Sequence, residues 1–244
     1  MEHQSLEQHL KELRKRIFYS LVMLLIAICI CYYYSKGIYN FFLIPLADIY
    51  KDSSHHKMIY TGLTEAFFTY LKLASYAGFF ISFPFIAMQF YIFLAPGLYK
   101  NEKKVLIPFL VAAPILFLLG GMMVYYLVFP LAWKFFLSFE LKDSLIPILF
   151  EARISEYLSL VLHLIFAFGI AFQLPIILTL LAKVGVINSD FLIKKRKIAI
   201  VIIFAVAAVI TPPDVISQIA LALPMMVLYE ISVKLTKLIE AKPS

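Results

Sequence analysis

The chain has 244 residues, of which 63% are apolar and only 15% charged. Soluble domains have roughly half their residues apolar and a quarter charged, so this composition excludes an ordinary soluble enzyme and a disordered chain and points to a polytopic membrane protein. The net charge of +7, from 22 Lys and Arg against 15 Asp and Glu, then reads as a determinant of membrane topology and not as a nucleic-acid-binding surface.

Residues 5–16 are expected to form an amphipathic helix at the membrane interface. The run SLEQ at 5–8 has the capping-box pattern, and Leu6, Leu10, Leu13 and Ile17 recur at helical spacing. Six apolar stretches follow, read against the ~20 residues that cross a ~30 Å hydrocarbon core. They predict spans at about 17–35, 73–95, 107–132, 157–181, 197–212 and 214–233 of a single membrane domain covering residues 1–244. The first stretch follows a charged segment and no small-residue cleavage site comes after it, so it is not read as a cleaved signal peptide. Cys29 and Cys31, at i and i+2, point to nearly opposite sides of a helix and are read as unpaired packing residues. Between the first two spans, the apolar stretch 38–46 is expected to rest on the membrane surface, with residues 51–57 as a polar tip.

Prolines 84, 108, 114, 130, 175 and 224 interrupt the spans. Each removes a backbone hydrogen bond and bends its helix, which predicts a curved wall of kinked helices. The stretch 79–84 faintly echoes 170–175, either as a parallel repeat or by chance. The last two charge-free runs, 198–213 and 215–229, extend only about 24 and 22 Å at ~1.5 Å per residue. They predict two short spans joined at Asp214 by a tight turn after Pro212 and Pro213, with local thinning of the bilayer. A re-entrant hairpin that never crosses is the alternative. With both termini inside, fifteen Lys and Arg fall in inside segments and seven in outside segments, the bias expected of a chain inserted that way.

No nucleophile elbow, phosphate loop or metal-binding helix motif is present, so no enzyme activity, cofactor or metal is expected. The pair His55-His56 reads as a solvated tip, and His163 as a packing residue or an intramembrane functional group. Glu12 and Arg16, at i and i+4, could form a surface ion pair. Glu102 sits in a basic loop, and Asp214 favours the positive end of a helix dipole. Gln89 and Gln173, in or near apolar runs, each require an interhelical hydrogen bond, a wet cavity or a partner protein.

Four segments carry a family resemblance: HLKELRKRI at 9–17, FLAPGLYKNEKK at 93–104, AFGIAFQLP at 167–175 and TPPDVISQ at 211–218. In that order they resemble the TatC family, the polytopic signal-receptor subunit of the twin-arginine, Sec-independent protein translocase. The outside segment TGLTEAF at 61–67 is a looser match. The resemblance implies an all-α protein of six spans with both termini inside, in the bacterial inner membrane. It implies a core translocase subunit that binds twin-arginine signal peptides at its cytoplasmic face and nucleates a complex exporting folded proteins, driven by the proton-motive force. The implied partners are TatA- and TatB-type single-span subunits, precursor proteins, further copies of the chain and membrane lipid. The implied signal-peptide site comprises Glu12, Glu102, Arg14, Phe93 and Lys103, and Pro45, Gln173 and Asp214 are implied to be function-critical or partner-contacting. Gln173 stands where the family often has Glu, which is compatible with hydrogen bonding and puts a protonation role in doubt.

Electrostatics fits that implication independently. Carboxylates in an otherwise basic surface can each accept a guanidinium fork, and surrounding lysines select against generic basic sequences. Two other classes compete. A small-solute transporter would use broken helices such as those expected at Pro84 and Pro175, but the long spans hold no acid. An intramembrane hydrolase lacks its nucleophile and base.

Overall fold

The computed structural model describes residues 6–49, 57–94, 100–140, 146, 151–210 and 215–240, with the backbone alone for residues 6, 8, 94, 100–107, 210, 216 and 217. The capping residue Ser5, the tip with His55 and His56, and Asp214 lie outside the described residues.

The described residues are mostly helical: α1 (Leu6–Tyr33), α2 (Ser35–Ile49), α3 (Glu65–Leu94), α4 (Lys100–Met123), a π-helical turn (Val124–Val128), α5 (Phe129–Leu137), α6 (Ile154–Ala171), α7 (Leu174–Lys183), α8 (Ser189–Lys194), α9 (Arg196–Ile210) and α10 (Val215–Glu240). Among the described residues, five helical stretches are long and apolar enough to cross a membrane: His9–Tyr33, Glu65–Phe93, Pro108–Leu137, Ile154–Lys183 and Gln218–Glu240. The interfacial segment and the first span are one continuous helix, α1, because no Pro or Gly interrupts residues 6–33. α9 has 15 residues, about 22 Å at ~1.5 Å per residue, and is as short as the sequence suggests. α10 differs from expectation: it is not a short helix but runs 26 residues. The sequence reading weighed charge-free length, whereas Lys234, Lys237 and Glu240 continue the helix on its exposed side.

The prolines act locally. Pro130 opens α5 directly after the π turn, where the Phe129 N–H reaches back to the Val124 carbonyl. Pro175 falls just after the break between α6 and α7. In α3, the buried Ser82 hydroxyl donates to the Phe79 carbonyl (3.2 Å) one turn before Pro84, satisfying an acceptor near the disrupted ladder.

The chain packs as two units. One comprises residues 1–39 with 70–115, the other residues 40–69 with 116–244. In the first, α1 and α3 cross so closely at Gly78 that an added Cβ would lie 2.8 Å from the Ile28 backbone nitrogen. Cys31 is buried, Cys29 is exposed and both are free. In the second, α10 packs against α7, α8 and α9, and the π turn against α5 and α6. Phe117, Val124, Val128, Phe129, Leu158, Val161, Phe168 and Leu221 are fully buried there. Gly120 and Gly169 allow α4 to meet α6: a Cβ on Gly120 would sit 2.7 Å from the Phe168 carbonyl oxygen. Many large apolar side chains face outward, among them Leu21, Leu25 and Ile26 on α1 and Val111, Ile115 and Met122 on α4. That surface suits hydrocarbon and would be a liability in water.

Candidate functional site

His9, Glu12 and Arg16 recur at i, i+3 and i+7 and so share one face of α1. Gln89 and Phe93, at i and i+4, share one face of α3. These two faces meet within the first unit. The His9 ring stacks on Phe93 with centroids 4.5 Å apart and planes at 28°. Arg16 Nη2 donates to Glu12 Oε1 at 3.3 Å, and Arg16 Nη1 donates to Gln89 Oε1 at 3.2 Å. The Glu12 and Arg16 side chains are each 24% exposed, while Gln89 is buried. Arg16 Nε is buried without a hydrogen-bond partner. The i, i+4 pair expected from the sequence is therefore present, and it is not a free surface pair: a third residue from another helix completes it. Gln89 meets its need for an interhelical hydrogen bond.

The structure thus brings two implied site residues, Glu12 and Phe93, into one cluster. Arg14 is exposed, as are Lys11 and Lys15, and Arg14 lies outside the cluster. Glu102 and Lys103 belong to the first turn of α4, and their side chains lie outside the described residues.

Pro45 is buried within α2. A proline cannot donate to the carbonyl four residues back, here that of Phe41. The Tyr125 hydroxyl, from the π turn, donates to that carbonyl at 2.9 Å, and its ring stacks on Phe41 at 4.5 Å and 9°. Tyr157 on α6 donates to the next carbonyl, Phe42, at 2.7 Å. Pro45 exposes the acceptor by which α2 is held.

Gln173 sits at the α6–α7 break, half-buried, with its side-chain nitrogen 3.5 Å from the Gly169 carbonyl oxygen. That is a long contact for a hydrogen bond. Asp214 falls outside the described residues. Four residues further on, Gln218 joins α10 to α9 by donating to the Phe204 carbonyl at 3.2 Å.

Sequence reasoning missed a knot before α3 and α6. Glu65 Oε2 accepts from the backbone N–H groups of Thr61 (3.0 Å) and Gly62 (3.1 Å) and from Arg153 Nη2 (3.1 Å). Its Oε1 accepts from Ser155 Oγ (2.6 Å) and Arg153 Nε (3.2 Å). Hydrogen bonding to Glu65 pushes the Arg153 guanidinium above its ordinary pKa. Ile59 pairs with the strand-like start of α6 through Ile59 N to Ala152 O and Ile154 N to Ile59 O. Two further ties of α10 were also missed: the backbone N–H of Ser189, at the start of α8, donates to Glu240 at the end of α10 (2.8 Å), and, nearer the middle of α10, Glu230 pairs with Arg196 of α9 at 2.7 Å. The only sequence signal for the knot was the loosely matching TGLTEAF segment, and there was none for the two ties.

The profile of the family described as "TatC: Sec-independent protein translocase protein (TatC)" matches residues 8–224. The chain is 50% identical over 240 residues to the Sec-independent protein translocase protein TatC of Rickettsia prowazekii, covering 98% of this chain and 95% of that one. It is 46% identical over 237 residues to the protein of the same name from Magnetococcus marinus, covering 97% and 85%. A crystal structure of the twin arginine translocase receptor TatC superposes with a TM-score of 0.79 at 40% identity, over 95% of this chain and 99% of that one. The continuous α1 with its His9–Arg16 face, the long apolar helices and these likenesses over nearly the whole chain converge: the chain is a multi-pass membrane protein and belongs to the TatC family of Sec-independent protein translocase proteins.

Proposed function

We propose that the chain is the signal receptor of a twin-arginine translocase, that its carboxylates Glu12 and Glu102 bind the arginine pair of a precursor's signal peptide, and that Phe93, Lys103 and Arg14 complete the surface. The observation that carries this reading is the half-buried Glu12 carboxylate on the same face of α1 as His9, whose ring stacks on Phe93, in a helix whose other charged side chains are mostly basic. A carboxylate partly withdrawn from water binds a guanidinium more strongly than a fully exposed one, because screening is weaker.

The accompanying topology has six spans, with α9 as the short fifth crossing and both termini cytoplasmic. The fifteen-to-seven distribution of Lys and Arg supports it. The chain acts in the bacterial inner membrane with TatA- and TatB-type single-span subunits, with further copies of itself and with membrane lipid, and it nucleates a complex that exports folded proteins at the expense of the proton-motive force. Pro45, Gln173 and Asp214 serve partner contact or assembly. The experiment is complementation of a bacterium lacking its TatC. Expression of this chain together with its single-span partners should export a folded twin-arginine reporter, and export should stop when a protonophore collapses the proton-motive force. A reporter that stays cytoplasmic despite stable membrane insertion of the chain contradicts the reading.

A further inference from the structure

The Glu12–Arg16–Gln89 cluster resembles an occupied binding site more than a structural ion pair. Arg16 presents one nitrogen to Glu12 and another to Gln89, at 3.3 and 3.2 Å. Charge-assisted contacts are ordinarily about 2.7–2.9 Å, and strong Arg–carboxylate pairs are bidentate. Arg16 makes a single long contact with each acceptor, and its Nε is buried without a partner, an arrangement that costs the desolvation of that donor. Arg16 is therefore held loosely by both acceptors, of which Gln89 is buried. Gln89 is buried on α3, and Glu12 lies one turn from Arg16 on α1. Two acceptors on different helices, spanned by the two terminal nitrogens of one guanidinium, form a seat whose width fits a guanidinium, because it already holds one.

Resting on the receptor reading above, we propose that Glu12 and Gln89 together form a guanidinium seat, occupied in the free chain by Arg16, and that a signal-peptide arginine binds there by exchanging with Arg16. The incoming guanidinium takes over both contacts, and Arg16 swings outward, where water hydrates its Nε. An ammonium group is a point donor on a flexible stem and does not span both acceptors as a planar fork does. Gln89 then adds an arginine-specific contact to a site whose carboxylate alone would attract any cation.

The test is equilibrium binding of two synthetic signal peptides, one with the arginine pair and one with both arginines replaced by lysine, to the full chain in detergent. Arg16→Lys keeps the charge but weakens the internal occupant, and it should tighten the arginine peptide at least threefold. Arg16→Gln should tighten both peptides by a common, larger factor. Adding Gln89→Leu to Arg16→Gln should weaken the arginine peptide about tenfold and leave the lysine peptide within twofold. If Arg16→Lys binds the arginine peptide equally or more weakly, Arg16 holds Glu12 in place and is no occupant, and the exchange is overturned. If Gln89→Leu shifts both peptides alike, the two-acceptor seat is overturned. Adding Glu12→Gln to Arg16→Gln separates the underlying reading: unchanged arginine-peptide binding in that variant refutes the receptor site itself and the inference with it.

Discussion

Pro45 and Tyr125 should be energetically coupled. The proline leaves the Phe41 carbonyl without its helical donor, and the Tyr125 hydroxyl supplies one at 2.9 Å. Tyr125→Phe removes that bond but keeps the ring stacked at 4.5 Å on Phe41, so the loss is one hydrogen bond, about 1 kcal/mol. In a Pro45→Ala background, residue 45 regains an N–H that can close the α-helical bond to Phe41. Losing the tyrosine hydroxyl should then cost little, which makes the coupling energy about 1 kcal/mol. In thermal unfolding this corresponds to roughly 2–4 °C for a chain of this size. The chain's single tryptophan, Trp133, stacks on Tyr157 with centroids 5.0 Å apart, within the unit that contains α2's anchor, so its fluorescence in detergent reports the transition. The four proteins of the cycle are wild type, each single variant and the double variant. If Tyr125→Phe shifts the transition equally in both backgrounds, within the ~0.3–0.5 kcal/mol expected of independent sites, Pro45 does not create the acceptor and the argument fails.

Other outcomes follow from the same geometry. Gly120→Ala forces a Cβ to 2.7 Å from a backbone carbonyl and should destabilise by about 1–3 kcal/mol as overpacking, whereas Gly37→Ala, with nothing within 4 Å, should be neutral or stabilising; equal melting temperatures for the two would refute the α4–α6 crossing. Glu65→Gln should loosen the segment 57–62, seen as faster amide hydrogen exchange there than in wild type; unchanged exchange would mean that Ile59's backbone pairing alone holds it. Gln173→Leu should leave folding intact and reduce co-purification of the single-span partners, and undiminished recovery would make Gln173 a packing residue. A thiol engineered at Asp52 should react with an impermeant reagent from outside intact cells; labelling only after the inner membrane is opened would reverse the proposed orientation.

What could be read from the sequence was whatever depends on neighbours along the chain. Apolar run length located the long helices, and the i, i+4 spacing of Glu12 and Arg16 anticipated their pairing. Gln89, a lone amide in an apolar run, announced that it needed a partner, but not that the partner would be Arg16, 73 residues away. The extent of α10 was misjudged because a charged residue ends an apolar run without ending a helix. The Glu65–Arg153 knot joins residues 88 apart, and the Tyr125–Phe41 bond spans 84. Such contacts have no local period. They depend on where the helix ends are brought by packing, at positions such as Gly120 and Gly169 whose small size the sequence displays without naming what they meet.

The central claim is that Glu12 and Glu102 recognise the arginine pair. The direct measurement is site-specific crosslinking of a twin-arginine precursor to membranes carrying the wild-type chain, Glu12→Ala or Glu102→Ala, beside a precursor with both arginines changed to lysine. Removing a carboxylate that pairs with a partly desolvated guanidinium costs ~2–5 kcal/mol, so each variant should lose roughly 30-fold or more in precursor affinity while inserting normally. Equal crosslinking of the intact precursor to wild type and both variants would contradict the account.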